Sequence, residues 1–327
     1  MKKTLLCTLV LLVALLGECL AWAATVDRLK EPGRQAKVAA IAIGCGGDHD
    51  KKVKLAIEHL EVAGRQGVDI ACLPEGFAGR TAEPIPGSTT NAIGALAKKH
   101  HMYVVCPICE RAADGRQYNT AVLLDRQGQV AGSYRKVFVF WNERGVSLGK
   151  ADVPVFDTDF GRIAMLTCFD ANFDEVWQEA ARKGAEIVFW PSAYGGGLPL
   201  GGYAAIHNYY IVAVGWGNMI DSFGKTIESV KKPLPKQFIA TLDLDLTIVH
   251  KDFTGKAVAK LLAEQAGKVE RLPSPGDMEG WYVLRAVAPG VRVRDLCKQY
   301  KIETLREYRE RSRDALNALR RVDKSVP

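Results

Sequence analysis

The sequence lacks several features that would assign it to a repeat, zinc-binding or membrane class. It contains no internal repeat and no low-complexity linker, so a solenoid or linker-rich architecture is not indicated. The CxxC pair Cys106 and Cys109 has no second CxxC or HxxxH to complete a four-ligand zinc site. No long apolar run follows residue 23. We therefore expect a soluble product without metal or membrane attachment.

The first 23 residues have the pattern of a cleaved secretory signal. Lys2 and Lys3 precede an almost wholly apolar run over residues 5–16, and small residues follow at Ala21 and Ala23. A basic start, a short apolar core and an A-x-A site define such a signal, and the run is too short to span a bilayer comfortably. We expect cleavage after residue 23 and export to the periplasm or the medium.

Positive charge is concentrated near the C-terminus. The formal net charge is +7, and residues 292–324 contain eleven Lys/Arg against six Asp/Glu. A basic face can bind nucleic acid, but here acidic residues are interleaved and aromatic residues do not alternate with basic ones. This composition predicts a solvated or subunit-contacting helix and no nucleic-acid partner.

The cysteines are interpreted mainly as structural. Six remain after residue 23, and Cys45, Cys72 and Cys106 lie in or at the end of apolar, strand-like runs. A free cysteine packs there as a small hydrophobe. Cys106 and Cys109 have redox-motif spacing, but they continue a strand and do not open a helix. The sequence leaves open whether these two form a disulfide.

Strand and helix patterns alternate along the chain. The main predicted strands cover residues 37–43, 68–73, 103–108, 117–124, 130–137, 153–157, 162–167, 186–190, 211–214 and 238–243, and the main helices cover 51–66, 90–100, 174–183 and 203–209. This order predicts an α/β layer architecture with parallel and antiparallel neighbours. A proline-containing segment over 272–276 suggests a boundary. We therefore predict one domain over 24–271 and an extension over 272–327 with a strand and a charged helix.

Three reactive residues follow the ends of predicted strands. They are Glu75, Lys136 and Cys168. Ligands bind beyond the carboxyl ends of strands in α/β folds, so residues far apart in sequence can converge there. A carboxylate can accept a thiol proton, and an ammonium and the backbone N–H of Phe169 can stabilise an oxyanion. Taken singly, each has a structural explanation: packing for the cysteine and solvation for the glutamate and lysine.

The surrounding segments resemble the nitrilase (carbon–nitrogen hydrolase) superfamily. They are Cys-Leu-Pro-Glu ending at Glu75, Tyr-Arg-Lys-Val around Lys136, Leu-Thr-Cys-Phe-Asp around Cys168 and Trp-Pro-Ser-Ala beginning at Trp190. The resemblance spans roughly residues 36–245, and three spaced motifs are far more specific than one. It implies a four-layer α-β-β-α sandwich that assembles as a homodimer or larger oligomer. It also implies Glu75 as base, Lys136 as oxyanion partner, Cys168 as nucleophile and Glu143 as a second carboxylate.

Departures from the family pattern leave the substrate open. The family often has Asn at the position of Trp190, and its Arg-Ala-x-Glu-Asn run appears here as Ala-Ala-Ile-His-Asn. We interpret the histidine of that run, His207, as a packing residue. The glycine-rich segment 195–202 is predicted to be a flexible loop, either a pocket wall or a simple connector.

Aromatic residues near the motifs are candidates for a substrate pocket. Phe169, Trp141 and Tyr194 are predicted to bind substrate, and further candidates are Phe138, Phe140 and Trp216. No arginine clamp for a substrate carboxylate is evident. The nearest candidates are Arg80, Arg135 and Arg144.

The expected function is hydrolysis of a small amide outside the cytoplasm. A cysteine thioester would form at a non-peptide carbon–nitrogen bond, releasing ammonia or an amine, without a cofactor. Nitrile and carbamoyl-amide hydrolysis are alternatives within the family. A non-catalytic binding or assembly protein on the same fold is an alternative of another class. A papain-like protease would need a histidine base near the thiol. Its usual order, with Cys first and His and Asn much later, is poorly matched by the candidates in this sequence.

Overall fold

The computed structural model describes residues 31–215, 217–229, 236–273 and 280–322. The predicted signal peptide and Trp216 lie outside the described residues. The chain divides into two units, and the larger comprises residues 36–242. The smaller contains the described residues among 1–35 and 243–327. Within the described ranges, no helix has both the length and the apolar character needed to cross a bilayer.

Most strands of the chain lie in the larger unit. In chain order they are β1 (Gln35–Ala42), β2 (Ile70–Cys72), β3 (Tyr103–Arg111), β4 (Gln117–Leu124), β5 (Val130–Arg135), β6 (Val155–Asp157), β7 (Arg162–Met165), β8 (Ile187–Pro191), β9 (Tyr210–Val214), β10 (Asn218–Ile220), β11 (Thr226–Ser229) and β12 (Lys236–Asp243). They form two six-stranded sheets, ordered β12-β1-β2-β3-β4-β5 and β11-β10-β9-β8-β7-β6. Each sheet has three central parallel strands, β1-β2-β3 and β7-β8-β9, with antiparallel pairs beyond them.

Helices accompany both sheets. The first sheet carries α1 (His49–Arg65) and α2 (Ser88–His100), and the second carries α3 (Asp174–Arg182) and α4 (Leu198–His207). Alternate strand residues such as Ile41 and Val104 pack with Leu60 of α1 and Ile93 of α2 in one buried cluster. Period-2 strands meeting a helical apolar face produce this layering. The fold is the expected four-layer α-β-β-α sandwich.

Two local predictions in this unit are wrong. The segment 195–202 is not wholly a loop, because α4 begins at Leu198 with a proline in its first turn and Gly197 at φ +64° before it. A proline at that position has its φ angle preset for a helix and lacks an N–H that would go unpaired. Cys45 is not packed in the core either. It follows β1 in a loop, where the residue as a whole is exposed although its sulfur is partly buried, 3.6 Å from the Ser192 carbonyl oxygen.

The smaller unit has its own sheet and core. Its strands are β13 (Thr247–His250), β14 (Val269–Leu272) and β15 (Trp281–Ala286), and its helices are α5 (Gly255–Glu264), α6 (Val293–Gln299) and α7 (Leu305–Val322). The strands are antiparallel in the order β13-β15-β14. Val258 and Leu261 of α5 pack with Leu284 in its core. The predicted boundary at 271/272 falls inside this unit, because β14 and β15 pair across it; the contacts divide the chain at 242/243 instead.

Candidate active site

Glu75, Lys136, Glu143 and Cys168 come together in the larger unit. Lys136 Nζ lies 2.9 Å from Glu75 Oε1 and 2.5 Å from Glu143 Oε1. Glu75, Glu143 and Cys168 all line one cavity of about 410 Å³. The loops after β2, β5 and β7 deliver these side chains, as the carboxyl-end rule predicts for strands of an α/β fold.

The carboxylate of Glu75 is held by three N–H donors. Its Oε1 accepts from Lys136 Nζ at 2.9 Å and from Asn119 Nδ2 at 2.8 Å, and its Oε2 accepts from the Ala193 N–H at 3.0 Å. Asn119 also donates to Glu143 Oε2 at 3.2 Å. Neither Asn119 nor Ala193 was predicted to be a site residue. An asparagine within a strand carries no local signal for such a role, whereas the place of Ala193 at the end of the Trp-Pro-Ser-Ala segment was an available signal.

Lys136 remains an ammonium despite complete burial. Burial acts to lower its pKa, but the charge of Glu75 and the contacts with Glu143 raise it above the ordinary lysine value. Its side chain is 0% exposed. A buried cation bonded to two carboxylates is a fixed positive charge beside the reacting groups.

Cys168 occupies a strained backbone position. Its φ is +48°, and it begins a short 3₁₀ helix, Cys168–Asn172. A non-glycine residue in the left-handed region persists only where its surroundings hold it there. The carbonyl of Cys168 accepts a hydrogen bond from Trp190 Nε1 at 3.1 Å. Trp190, at a position where the family often has Asn, therefore holds the backbone of Cys168.

The thiol of Cys168 is protonated in the resting site. Burial, followed by the charge of Glu75, raises the pKa of Cys168 to about 12, while Lys136 and the Ala193 N–H act in the opposite direction. Glu75 also hydrogen-bonds the thiol. A stable thiolate is thus absent at neutral pH. A reaction at this sulfur would therefore require its proton to move to a base, and the Glu75 carboxylate is within reach.

Asp170 ties the nucleophile turn to the segment that carries Lys136. Its carboxylate accepts from the Thr167 N–H at 2.7 Å, the Phe138 N–H at 2.9 Å and the Tyr134 hydroxyl at 2.8 Å. Burial raises the pKa of Asp170 to about 6, and these hydrogen bonds oppose the shift. Its place in the Leu-Thr-Cys-Phe-Asp segment was the available signal, although the sequence suggested no role for it.

The three predicted substrate-binding aromatic residues lie outside the cavity lining. Phe169 packs edge-on against Phe140, with ring centroids 5.2 Å apart, and Phe140 lines the cavity itself. Trp141 is 80% exposed. The Tyr194 hydroxyl lies 3.5 Å from the Cys168 carbonyl oxygen, behind the nucleophile's backbone.

The remaining candidates separate into cavity residues and structural residues. Arg80 and Arg144 line the cavity. Arg135 instead pairs with Glu110 at 2.5 Å and lies over the Tyr118 ring at 4.0 Å. The ring of His207 is tilted against that of Tyr209 at 5.5 Å, and His207 is not part of the lining.

The cysteine contacts are consistent with free thiols. All six cysteines among the described residues are unpaired. Cys106 is buried in β3, whereas Cys109 Sγ lies 3.8 Å from Gln117 Oε1 and lines the cavity with Cys45. Among the residues that the structure describes, no group of three His, Cys, Asp or Glu side chains is placed to hold a metal ion.

Comparison with known proteins identifies the family. Residues 37–201 match the family described as carbon-nitrogen hydrolase, which is half of the chain. This chain belongs to that family. It is 37% identical over 158 residues to "Beta-ureidopropionase" of Arabidopsis thaliana and 34% identical over 161 residues to "Formamidase" of Bacillus cereus. These alignments cover 42% and 45% of this chain and only 39% and 48% of the two relatives.

Solved structures of the same superfamily share the fold. Saccharomyces cerevisiae Nit3, a nitrilase-superfamily member, matches with a TM-score of 0.59 and 21% identity, covering 64% of this chain and 90% of that one. An amidase from Nesterenkonia sp. matches with a TM-score of 0.58 and 20% identity, covering 64% and 91%. One variant of the amidase from Nesterenkonia sp. AN1 carries the acetamide moiety of fluoroacetamide covalently added at its active-site cysteine.

Proposed function

We propose that this protein hydrolyses a non-peptide carbon–nitrogen bond of a small amide through a thioester on Cys168. The observation that carries the proposal is the meeting of Cys168 and Glu75 in one cavity of this fold, with the buried Lys136 bonded to Glu75. A thiol, a carboxylate within its hydrogen-bonding reach and a fixed cation are the parts that acyl transfer needs.

The first half of the reaction transfers the acyl group to sulfur. Glu75 accepts the Cys168 proton while Sγ attacks the amide carbon, so no free thiolate is required at neutral pH. Glu75 is suited to this because the thiol lies within its hydrogen-bonding reach, and two N–H donors on Oε1 and one on Oε2 hold its carboxylate in place. The proton then passes from Glu75 to the departing nitrogen. The C–N bond breaks, ammonia or an amine leaves, and an acyl–S bond remains.

Two donors face the charge that develops on the carbonyl oxygen. Lys136 supplies a fixed ammonium. The Phe169 N–H lies in the first turn of the 3₁₀ helix, where backbone donors have no intrahelical acceptor. Preorganised donors of this kind stabilise a tetrahedral oxyanion more than they stabilise the starting amide.

The second half releases the acid. Glu75, again a carboxylate, takes a proton from water as the water oxygen attacks the thioester carbon. The C–S bond breaks, the carboxylic acid leaves, and the proton returns from Glu75 to Cys168. The sum is amide plus water giving acid plus ammonia or amine.

The names of relatives favour amides over nitriles. They include formamidase and "Deaminated glutathione amidase" of Synechocystis sp., the latter 29% identical over 161 residues. The ureidopropionase supports carbamoyl amides as the second candidate class.

Trapping the acyl-enzyme tests the proposal. Purified protein is incubated with a panel of small amides, quenched in acid and analysed by intact mass and peptide mapping. We expect an acyl adduct on Cys168 alone, and Glu75→Gln should slow its formation by about 10²–10⁴-fold.

Cys45 is the internal control, because it lines the same cavity and its thiol is also protonated, with a pKa raised to about 11 by burial and the charge of Glu75. Equal acylation of Cys45 and Cys168, or adducts that form at the same rate in Glu75→Gln, would argue for non-specific thiol chemistry and for a binding protein on this fold.

Export and self-assembly are part of the proposal. Residues 1–23 would direct secretion, and two copies would pair as the family resemblance implies. The mature N-terminus after expression in a secreting host should be Ala24, and light scattering should give at least a dimer mass. An intact N-terminus on cytoplasmic protein would contradict export. A monomer at micromolar concentration would contradict self-assembly.

A further inference from the structure

Two arginines face the cavity without an acidic partner. Arg80 lies in the loop after β2 and Arg144 in the loop after β5, and both line the cavity that holds Cys168. Within the described ranges, neither guanidinium forms an ion pair or a side-chain hydrogen bond. Two cations from separate loops thus meet on one cavity without a carboxylate to neutralise them.

The nearby carboxylates are already used. Glu143, the chain neighbour of Arg144, turns to Lys136 at 2.5 Å instead of to the arginine. Glu75 is held by the same lysine at 2.9 Å. Glu110 is paired with Arg135. Arg144 therefore does not form a loop ion pair with its chain neighbour Glu143.

The charge balance of the cavity is positive. Glu75 and Glu143 bring two negative charges, which Lys136 and one arginine match, so the second arginine is left over. The cysteine thiols Cys45 and Cys168 are neutral, because burial raises the pKa of each. An anionic substrate restores neutrality, whereas an uncharged amide leaves the excess.

The wall around the arginines suits a short chain. Ile108, Val146 and Phe140 supply apolar surface, and Gln117 and Asn119 supply amide groups. A cavity of about 410 Å³ lies toward the small end of ligand sites. Arginine presents a planar set of donors that matches a carboxylate in a bidentate manner.

We infer that the substrate is a small amide that also carries a free carboxylate. Its amide carbon meets Cys168 while the carboxylate binds Arg80 and Arg144. This inference rests on the proposed function and gives it a substrate class. Two families of compound share this chemistry, the monoamides of dicarboxylic acids and the N-carbamoyl amino acids. Both carry a carboxylate several bonds from the hydrolysable C–N bond.

Matched substrate pairs provide the test. Succinamate and glutaramate are compared with butyramide and valeramide, and N-carbamoyl-β-alanine is compared with propylurea. Each pair differs in the carboxylate and little else. We expect kcat/KM for the acid to exceed that for its neutral partner by at least about tenfold in one of the two families, which identifies the source.

Variants of the two arginines test whether Arg80 and Arg144 cause the preference for acid amides over neutral ones. Arg80→Met and Arg144→Met keep the side-chain length and remove the charge, and each should reduce the acid-to-neutral ratio about tenfold. The ratio should also fall with added salt, because both arginines are exposed. Arg116→Met is the control, since its guanidinium pairs with Asp114 outside the cavity; it should leave the ratio unchanged.

Binding separates this inference from the proposed function. In Cys168→Ala, calorimetry should detect acid amides more tightly than neutral ones, and Arg80→Met or Arg144→Met in that background should remove the difference. Equal kcat/KM within each pair, or equal binding, overturns the inference while the hydrolase stands. If the wild type bound acid amides tightly but neither hydrolysed them nor formed a thioester, the anion site would stand and the proposed reaction would be wrong.

Discussion

The charged cluster at the candidate site of the larger unit differs from the ion pairs on the surface of the smaller unit. In the unit of residues 36–242, Lys136 is fully buried with Glu75 and Glu143. In the smaller unit, pairs such as Arg285 with Glu270 have side chains 46% and 41% exposed. Water and salt screen the exposed pair, whereas the buried cluster around Lys136 is screened much less.

Under the proposed function, this difference marks where charge has a chemical purpose. Removing ions from water costs several kcal/mol each unless partners and hydrogen bonds compensate, so a buried cluster is weak support for stability alone. Around Lys136 that cost produces a fixed cation and an oriented base. Around Arg285 the charges keep a surface hydrated and contribute little else.

Removing the buried cation should produce the largest effect. Lys136→Met leaves the carboxylates of Glu75 and Glu143 without their shared cation and removes the proposed oxyanion donor. We expect kcat/KM to fall by about 10²–10³-fold and the free energy of unfolding to fall by about 3–5 kcal/mol in urea titrations. Lys298→Met is the matched control, because its contact with Asp295 is 4.0 Å long and both side chains are over 70% exposed. Similar losses in both variants would abolish the distinction between the two kinds of charge.

The smaller unit should instead depend on its apolar core. Leu261 is 0% exposed, so Leu261→Ala should lower the free energy of unfolding by about 2–5 kcal/mol. Leu316→Ala, at a position 54% exposed on α7, removes the same atoms and should change it by less than about 0.5 kcal/mol. Denaturant titrations followed by circular dichroism measure both. Equal values would mean that this core does not stabilise the unit.

Asp170 should give stability an inverted pH dependence. Its folded pKa of about 6 lies above the ordinary 3.8, so the folded state binds more protons between these values. Stability from this group is therefore present at low pH and is lost as pH rises from about 4 to about 6. The loss is at most about 3 kcal/mol.

The comparison of wild type with Asp170→Asn isolates this term. The stability advantage of the wild type should be smaller at pH 7 than at pH 4 in urea titrations. Asp295→Asn in the exposed part of α6 is the control and should show no such trend. An advantage that grows with pH would mean that Asp170 is ionised throughout this range.

The smallest effect is expected at the exposed ion pair. Arg285→Ala should cost less than about 1 kcal/mol, and 0.5 M salt should remove most of that. Arg135→Ala sharpens the comparison, because its partner Glu110 is only 8% exposed and would be left unpaired. Its cost should be larger and less sensitive to salt. Equal costs in thermal or urea unfolding would contradict the ranking.

Local pattern predicted the layers and the reactive set, and it failed where distant segments meet. The strand and helix order followed from apolar periodicity, which acts over a few residues. The start of α4 was missed because three glycines suggested a loop, while Pro199 in the first turn initiates a helix. β14 and β15 pair across the proline-containing segment that suggested a boundary, because the core they share is set by long-range contacts.

The sequence by itself determined which atoms are available for reaction: a thiol, a carboxylate and an ammonium, each directly after a strand and within recognisable segments. Only the tertiary structure decided which of their neighbours take part. Asn119, Ala193 and Asp170 contact the site. The three aromatic residues predicted to bind substrate lie outside the cavity lining. Glu143 pairs with Lys136 and not with Arg144. Residue type and strand position are local properties, whereas a partner is selected by distances between loops that only the packed sheets establish.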